Sequence, residues 1–203
     1  MLVTGIKSKP VYASLRADLG GRYHLMLGMG PGAAALLRVL AEIQGSASSA
    51  LQKTRVLLVP DAGAALTTIA FDHLGLSLVS PFPDTASLLA AFRLVLDESL
   101  MGTRLYVAGP ESFIGLAMKI ALEFDLNKDE IRAEEVGTLA RRVYCIHCRA
   151  TTENVRNTIV TCTGCARWLL VRDHYSRRLA AYMGVMADAE APGELPPVKV
   201  VYL

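Results

Sequence analysis

Catalytic signatures are the first thing this sequence lacks. It holds no Gly-x-Ser-x-Gly, no His-Glu-x-x-His and no pair of carboxylates that spacing singles out. Its four histidines, His24, His73, His147 and His174, are scattered and read as structural. Cysteine is absent from the first 144 residues. Long apolar runs are missing too. Mean hydropathy is high at +0.35, yet there is no uninterrupted apolar stretch of about 18 residues, so a membrane span is not expected. The opening MLVTGIKSKP has no charged-then-apolar secretory pattern, and a cytoplasmic protein is expected. Neither sign of charge dominates: the net charge is +2, too small by itself to imply a polyanionic partner. Internal repeats and low-complexity tracts are also absent.

What remains is the composition of a folded chain, 52% hydrophobic and 20% charged over 203 residues, enough for one large domain or two small ones. Charge is unevenly spread. Residues 111–137 carry seven acids against three bases, whereas residues 138–182 carry eight arginines against two acids. That reversal places a boundary near 138. The expected domains are residues 1–138 and 139–203.

The first domain alternates strand and helix. Tyr23–Leu27, Arg55–Val59, Leu76–Val79 and Arg104–Ala108 are continuous apolar runs, and Ile131–Glu134 is a short candidate strand. Between them, Gly32–Gln44, Ala62–Leu74, the segment from Asp84 or Thr85 to about Ser99, and Glu111–Phe124 read as helices. Apolar strands between helices imply a parallel sheet covered on both faces, so the expected fold is a doubly wound α/β domain. Residues 1–22 fit no βα unit and are expected as an edge strand or hairpin.

Gly28-Met29-Gly30-Pro31-Gly32-Ala33 matches G-x-G-x-x-A between a strand and a helix. Gly28 permits a tight turn, Gly30 lets a pyrophosphate approach, and the small residues beyond allow close helix–strand packing. The helix N-terminus offers N–H groups to an anion. Asp61, after the second strand, stands where such proteins place a ribose-binding acid, or else caps the helix that follows. The same glycines also serve a plain βα turn. No Lys follows Gly32 where a phosphate-binding P-loop needs one.

The run Leu105-Tyr106-Val107-Ala108-Gly109-Pro110-Glu111-Ser112-Phe113 resembles the last strand-turn of the nucleotide-binding domain of ferredoxin–NADP reductases. Gly28–Gly32 with Ala33 is similar to that family's first nucleotide turn. The resemblance adds Gly109 and Pro110 to the cofactor-binding set of Gly28, Gly30, Pro31, Gly32 and Asp61. It departs from the family in two ways. Ala108 stands where the family carries cysteine, and no Arg-x-Tyr-Ser flavin motif or preceding flavin barrel is found. Arg38, Lys53 and Arg55 lie too far along the chain to be assigned to a 2′-phosphate.

Cys145-x2-Cys148-x13-Cys162-x2-Cys165 is the most specific pattern. Two Cys-x-x-Cys turns complete a four-thiolate tetrahedral shell, the layout of a zinc ribbon. With all four positions filled by protein, the metal is structural. Zinc leads on ligand type, and rubredoxin-like iron stays open. The intervening residues, with Val155, Ile159 and Val160, are expected to form a hairpin. Tyr175, Leu179 and Met183 recur every four residues and predict an amphipathic helix, followed by the β-prone tail Val198–Leu203. An arginine-rich ribbon can bind nucleic acid, and a stand-alone regulatory or nucleic-acid module is the alternative. With only Tyr144 and Trp168 close to the cysteine pairs, and arginine without lysine, a protein partner surface is favoured.

The run from Glu134-Glu135-Val136-Gly137 through Arg141–Cys148 to Arg172–Leu179 resembles the small subunit of bacterial dimethylamine monooxygenases. That resemblance implies a subunit, not catalytic alone, of a complex that uses NADPH and O2 to demethylate dimethylamine to methylamine and formaldehyde. Haem, flavin and an iron–sulfur centre are implied for companion subunits. For this one two versions stay open: the glycine turn binds NADPH, or the domain has lost that binding and serves only as a scaffold beside the zinc module.

Overall fold

The structure is a computed structural model and describes residues 8–46, 48–61, 71 and 79–203. They form two compact units, 12–137 and 138–203, with residues up to Val11 grouped in the second.

In the first unit, β1 (Tyr23–Met29), β2 (Thr54–Val59), β3 (Val79–Pro81), β4 (Thr103–Gly109) and β5 (Ile131–Glu135) make one sheet, ordered β3-β2-β1-β4-β5. Every pairing in it is parallel. The helices are α1 (Gly32–Ser46), α2 (Thr85–Asp97) and α3 (Glu111–Glu123). The central strands β1, β2 and β4 are largely apolar because both faces are covered. Leu25, Leu27, Leu57, Leu105 and Val107 meet Leu88, Phe92, Phe113 and Ile114 of α2 and α3. The alternate residues Met26, Val56, Leu58, Tyr106 and Ala108 meet Leu36, Val39, Leu40 and Ile43 of α1. Each fully buried Leu or Ile contributes about 1.5–3 kcal/mol, so these two layers carry the fold. The unit is therefore doubly wound, as expected.

Asp84 caps α2: its carboxylate accepts the Ser87 N–H at 2.8 Å. Such a cap is worth about 1 kcal/mol. The helix expected over Ala62–Leu74 lies outside the described residues except for Phe71, which is buried on the α1 face. The strand expected over Leu76–Val79 is described only at Val79, which opens β3.

The edge strand or hairpin expected over residues 1–22 is not formed among the described residues; 8–22 are irregular. Side chains hold this segment instead of a ladder. Leu15 is buried on the α1 face, and Glu42 accepts the Ala17 N–H at 2.8 Å. Asp18 pairs with Arg104 at 2.9 Å and with Arg132 at 3.3 Å.

The second unit is a five-stranded sheet of β6 (Arg141–Cys145), β7 (Thr151–Val155), β8 (Ile159–Thr161), β9 (Trp168–Ser176) and β10 (Ala181–Met186), ordered β7-β6-β10-β9-β8. Two sequence expectations are corrected here. Tyr175, Leu179 and Met183 do not share a helix: β9 and β10 form an antiparallel pair, and Tyr175 faces Tyr182 across it with ring centroids 5.0 Å apart. Strand-prone WLLVRDHYS and the buried alternation of Leu169 and Val171 decide the matter over the four-residue spacing. Nor do β7 and β8 form a hairpin; they are opposite edges of the sheet. Those edges nevertheless approach, since the Thr152 and Thr163 hydroxyls lie 3.3 Å apart. The sheet is therefore curled.

The tail is held within its own unit. Thr158 N–H donates to the Lys199 carbonyl at 2.8 Å, and Leu139 N–H to the Leu203 carbonyl at 2.7 Å. Tyr202 stacks on the Arg141 guanidinium, which lies 3.8 Å from its ring centroid and 3.9 Å from that of Tyr182.

Candidate metal centre and glycine turns

Curling the sheet brings Cys145, at the end of β6, beside the segment that follows β8. The four sulfurs all lie within 4.8 Å of one another. Cys145 and Cys165 are 3.8 Å apart, Cys148 and Cys162 3.5 Å. Tetrahedral zinc with bonds of about 2.3 Å requires sulfur–sulfur edges of about 3.8 Å, so the donor set fits.

The two knuckles repeat one hydrogen-bond pattern. Cys145 N–H donates to the Ala150 carbonyl and Arg149 N–H to the Cys145 carbonyl, both at 2.9 Å. In the second knuckle, Cys162 N–H donates to Arg167 at 2.9 Å and Ala166 N–H to Cys162 at 3.0 Å. The residue after each second cysteine takes a positive φ, 67° at Arg149 and 57° at Ala166. Gly164 donates its N–H to the Cys162 Sγ at 3.4 Å. A Cβ on Gly164 would stand 2.9 Å from the Cys148 sulfur, a role the sequence reading did not assign to it.

Protonation within the shell is uneven. The backbone N–H and guanidinium of Arg167 hold the Cys165 thiol down to about 6. The Ala150 N–H lowers the Cys148 thiol, but the three neighbouring sulfurs outweigh it and push it up to about 12. A divalent metal displaces all such protons. Cys145 and Cys162 are buried, Cys165 is half-buried and Cys148 is exposed.

The glycine positions gather at the carboxyl edge of the parallel sheet. Gly30 makes the turn after β1 with φ +54°, and Gly32 opens α1. A Cβ on Gly32 would fall 2.2 Å from the Ala108 carbonyl oxygen, so only glycine lets α1 pack this close to β4. Gly28 is corrected in role. It lies inside β1, where a Cβ would strike Leu58 at 2.6 Å and Leu36 at 2.9 Å. It makes room in the core rather than forming the turn.

Asp61 stands just past β2, exposed, with Oδ1 2.7 Å from where a Gly30 Cβ would be. Gly109 ends β4 and Pro110 precedes α3. A Cβ on Gly137 would lie 3.3 Å from Pro31 and 3.7 Å from Pro110, which brings the turns after β1, β4 and β5 together. The sequence reading missed Gly137 and the buried Glu111 in the first turn of α3. Of the unassigned cations, Arg38 pairs with Glu134, and Arg55 lies 3.7 Å from Glu98. Lys53 lies over the Tyr23 ring.

These features define a chain of two parts: a doubly wound α/β domain with a parallel sheet, and a curled sheet carrying a four-cysteine cluster with metal-binding geometry. Residues 4–131 match the N-terminal domain of the dimethylamine monooxygenase subunit DmmA-like family, and residues 142–185 match its C-terminal domain. The chain belongs to this family. It is 35% identical over 129 residues to the haem-dependent oxidative N-demethylase delta subunit of Ectopseudomonas mendocina (strain ymp), covering 64% of this chain and 72% of the relative. Among solved structures, it is similar to the flavohaem-like FAD/NAD-binding domain of nitric oxide dioxygenase from Vibrio cholerae O1 biovar El Tor. That likeness has a TM-score of 0.42 at 15% identity and covers 63% of this chain and 56% of the other. The fold assignment rests on strand order and the two-faced core. No described helix is long and apolar enough to cross a membrane.

Proposed function

We propose that this chain is a subunit of a multicomponent haem- and flavin-dependent monooxygenase that demethylates dimethylamine. The overall reaction takes dimethylamine, O2, a reduced pyridine nucleotide and a proton to methylamine, formaldehyde, water and the oxidised nucleotide. The chain is not catalytic alone. One observation carries this reading: Gly30, Pro31, Gly32, Asp61, Gly109, Pro110 and Gly137 converge at the carboxyl edge of a β3-β2-β1-β4-β5 sheet, in a member of a monooxygenase-subunit family. In open α/β sheets, ligands bind at that edge, where strand order reverses.

The bound nucleotide supplies a hydride. This chain's part is to hold its diphosphate against the bare Gly30 turn and its adenosine ribose at Asp61. Flavin, haem and an iron–sulfur centre belong to companion subunits in the cytoplasm. The four cysteines hold a structural zinc, because a shell filled by Cys145, Cys148, Cys162 and Cys165 leaves no coordination position for a substrate.

Capture of the tagged chain from its host, with an absorbance spectrum and metal analysis of the eluate, tests the reading. Flavin and haem bands with stoichiometric partner chains and one zinc per chain are expected. A colourless, partner-free eluate overturns it.

A further inference from the structure

Residues 138–182 hold eight arginines and two acids, and both acids are already paired. Asp173 meets Arg141 and Glu153 meets Arg142, each at 2.8 Å. The other arginines divide by position. Arg149 and Arg167 stand in the knuckles, where a four-thiolate zinc shell is itself an anion. Arg172 lines a cleft of about 540 Å³ together with Glu190 and Glu194. Arg156, Arg177 and Arg178 remain. All three are exposed, and no carboxylate pairs with them among the described residues.

These three gather at the end of the sheet opposite the knuckles. Arg177 and Arg178 lie in the turn between β9 and β10, which Arg142 holds by donating to the Ala180 carbonyl at 3.0 Å. Arg156 follows Val155, which faces Arg141 across β6 and β7. Its carbonyl accepts the Val201 and Tyr202 N–H groups at 3.0 Å. The tail so anchored brings the exposed Lys199 to the same end, where its carbonyl accepts the Thr158 N–H. The tail is apolar, yet Val198, Val200, Val201 and Leu203 are 54%, 61%, 44% and 68% exposed. An exposed apolar strip rimmed by arginine suits a protein interface. Nucleic-acid bases would need exposed rings to stack on, whereas Tyr175 and Tyr182 are buried and Tyr202 is turned inward onto Arg141.

We infer that this end of the second unit, with Arg156, Arg177, Arg178 and Lys199 around the apolar tail, docks a carboxylate-rich face of a companion subunit. Guanidinium groups meet carboxylates through paired hydrogen bonds, and the tail valines are covered when the faces close. The inference rests on the subunit reading above and adds the surface and the charge of the partner.

Capture by the tagged full chain at about 0.05 M salt, where surface charges are little screened, tests it. Haem and flavin absorbance of the eluate reads the companions, and metal analysis reads the fold of the second unit. The parent is expected to recover its companions. Arg177→Glu with Arg178→Glu should lower that recovery about tenfold or more at unchanged zinc content, while Arg177→Lys with Arg178→Lys keeps most of it. Arg156→Glu, on a separate segment, should act in the same direction, and it reads the face independently if the turn variant loses zinc. Full recovery in the charge-reversed variants overturns the docking face and leaves the subunit reading standing. No companions with the parent overturns both. A labelled single-stranded oligonucleotide that binds the parent and not Arg177→Glu with Arg178→Glu would assign the face to phosphates and overturn the acidic partner.

Discussion

Gly164 is the most exacting position in the metal centre, and Gly164→Ala is the perturbation that tests it. The added methyl would stand 2.6 Å from the Ala150 Cβ and 2.9 Å from the Cys148 sulfur. Ordinary carbon contacts begin near 3.5 Å, so relief requires shifts of several tenths of an ångström to about 1 Å. Ala150 is fixed by the carbonyl that receives the Cys145 N–H, so it cannot retreat without opening the first knuckle. Cys148 can move only by leaving the tetrahedral position. Overpacking of this kind costs about 1–3 kcal/mol, or a factor of about 5–150 in zinc affinity. Competition against a chromophoric chelator reads that factor directly. Affinity within about twofold of the parent would refute the close approach of the two knuckles. Gly45→Ala is the matched control, since nothing lies within 4 Å of its new Cβ near the end of α1.

That control carries its own expectation: Gly45→Ala should raise the urea midpoint by an amount worth about 0.5–1 kcal/mol, and a decrease would refute helical geometry there. Chelator removal of zinc should collapse the amide dispersion of residues 138–203 while leaving that of 12–137 intact, because each has its own core. Tyr202→Ala should cost about 2 kcal/mol and loosen residues 198–203, since the ring covers one face of Arg141; unchanged amide exchange there would refute the stack. His24 gives a pH signature. Burial pushes it below the usual 6.5, against the pull of Asp18. Its neutral ring stands 3.2 Å from the Tyr106 hydroxyl, which accepts the Asp18 N–H. The folded state therefore resists protonation. The associated stability is complete above about 6.5 and is lost as pH falls toward the lower folded value. Urea midpoints at about pH 5 and about pH 8 should differ less in His24→Asn than in the parent, and an equal difference removes His24 as the cause.

The central strands of the first unit, β1, β2 and β4, were legible because they are buried on both faces, and a continuous run such as Arg55–Val59 has few other homes. The cysteine cluster was legible for a different reason. Two short knuckles carry their geometry locally, whatever sheet supports them. The supporting sheet was not legible. Tyr175 and Tyr182 meet across β9 and β10, but their spacing also suits a helix, and only strand pairing distinguishes the two. Residues 12–22 were unreadable because Glu42, Arg104 and Arg132, which hold them, are distant in sequence.

Glycine shows where spacing stops being informative. Gly28, Gly30 and Gly32 form one motif, yet each lacks a side chain for a separate reason: room for Leu36 and Leu58, a positive φ, and contact with Ala108. Two of those reasons belong to the fold and would persist in a pure scaffold. Only Gly30, bare and facing Asp61, presents a surface whose emptiness the core does not require. Its positive φ of 54° makes any side chain there strained, so a bulky substitution would damage the turn as well as the proposed nucleotide contact. The proposed nucleotide role is therefore better tested at Asp61, whose side chain is exposed and outside the core, so that changing its charge leaves the packing of the turn intact.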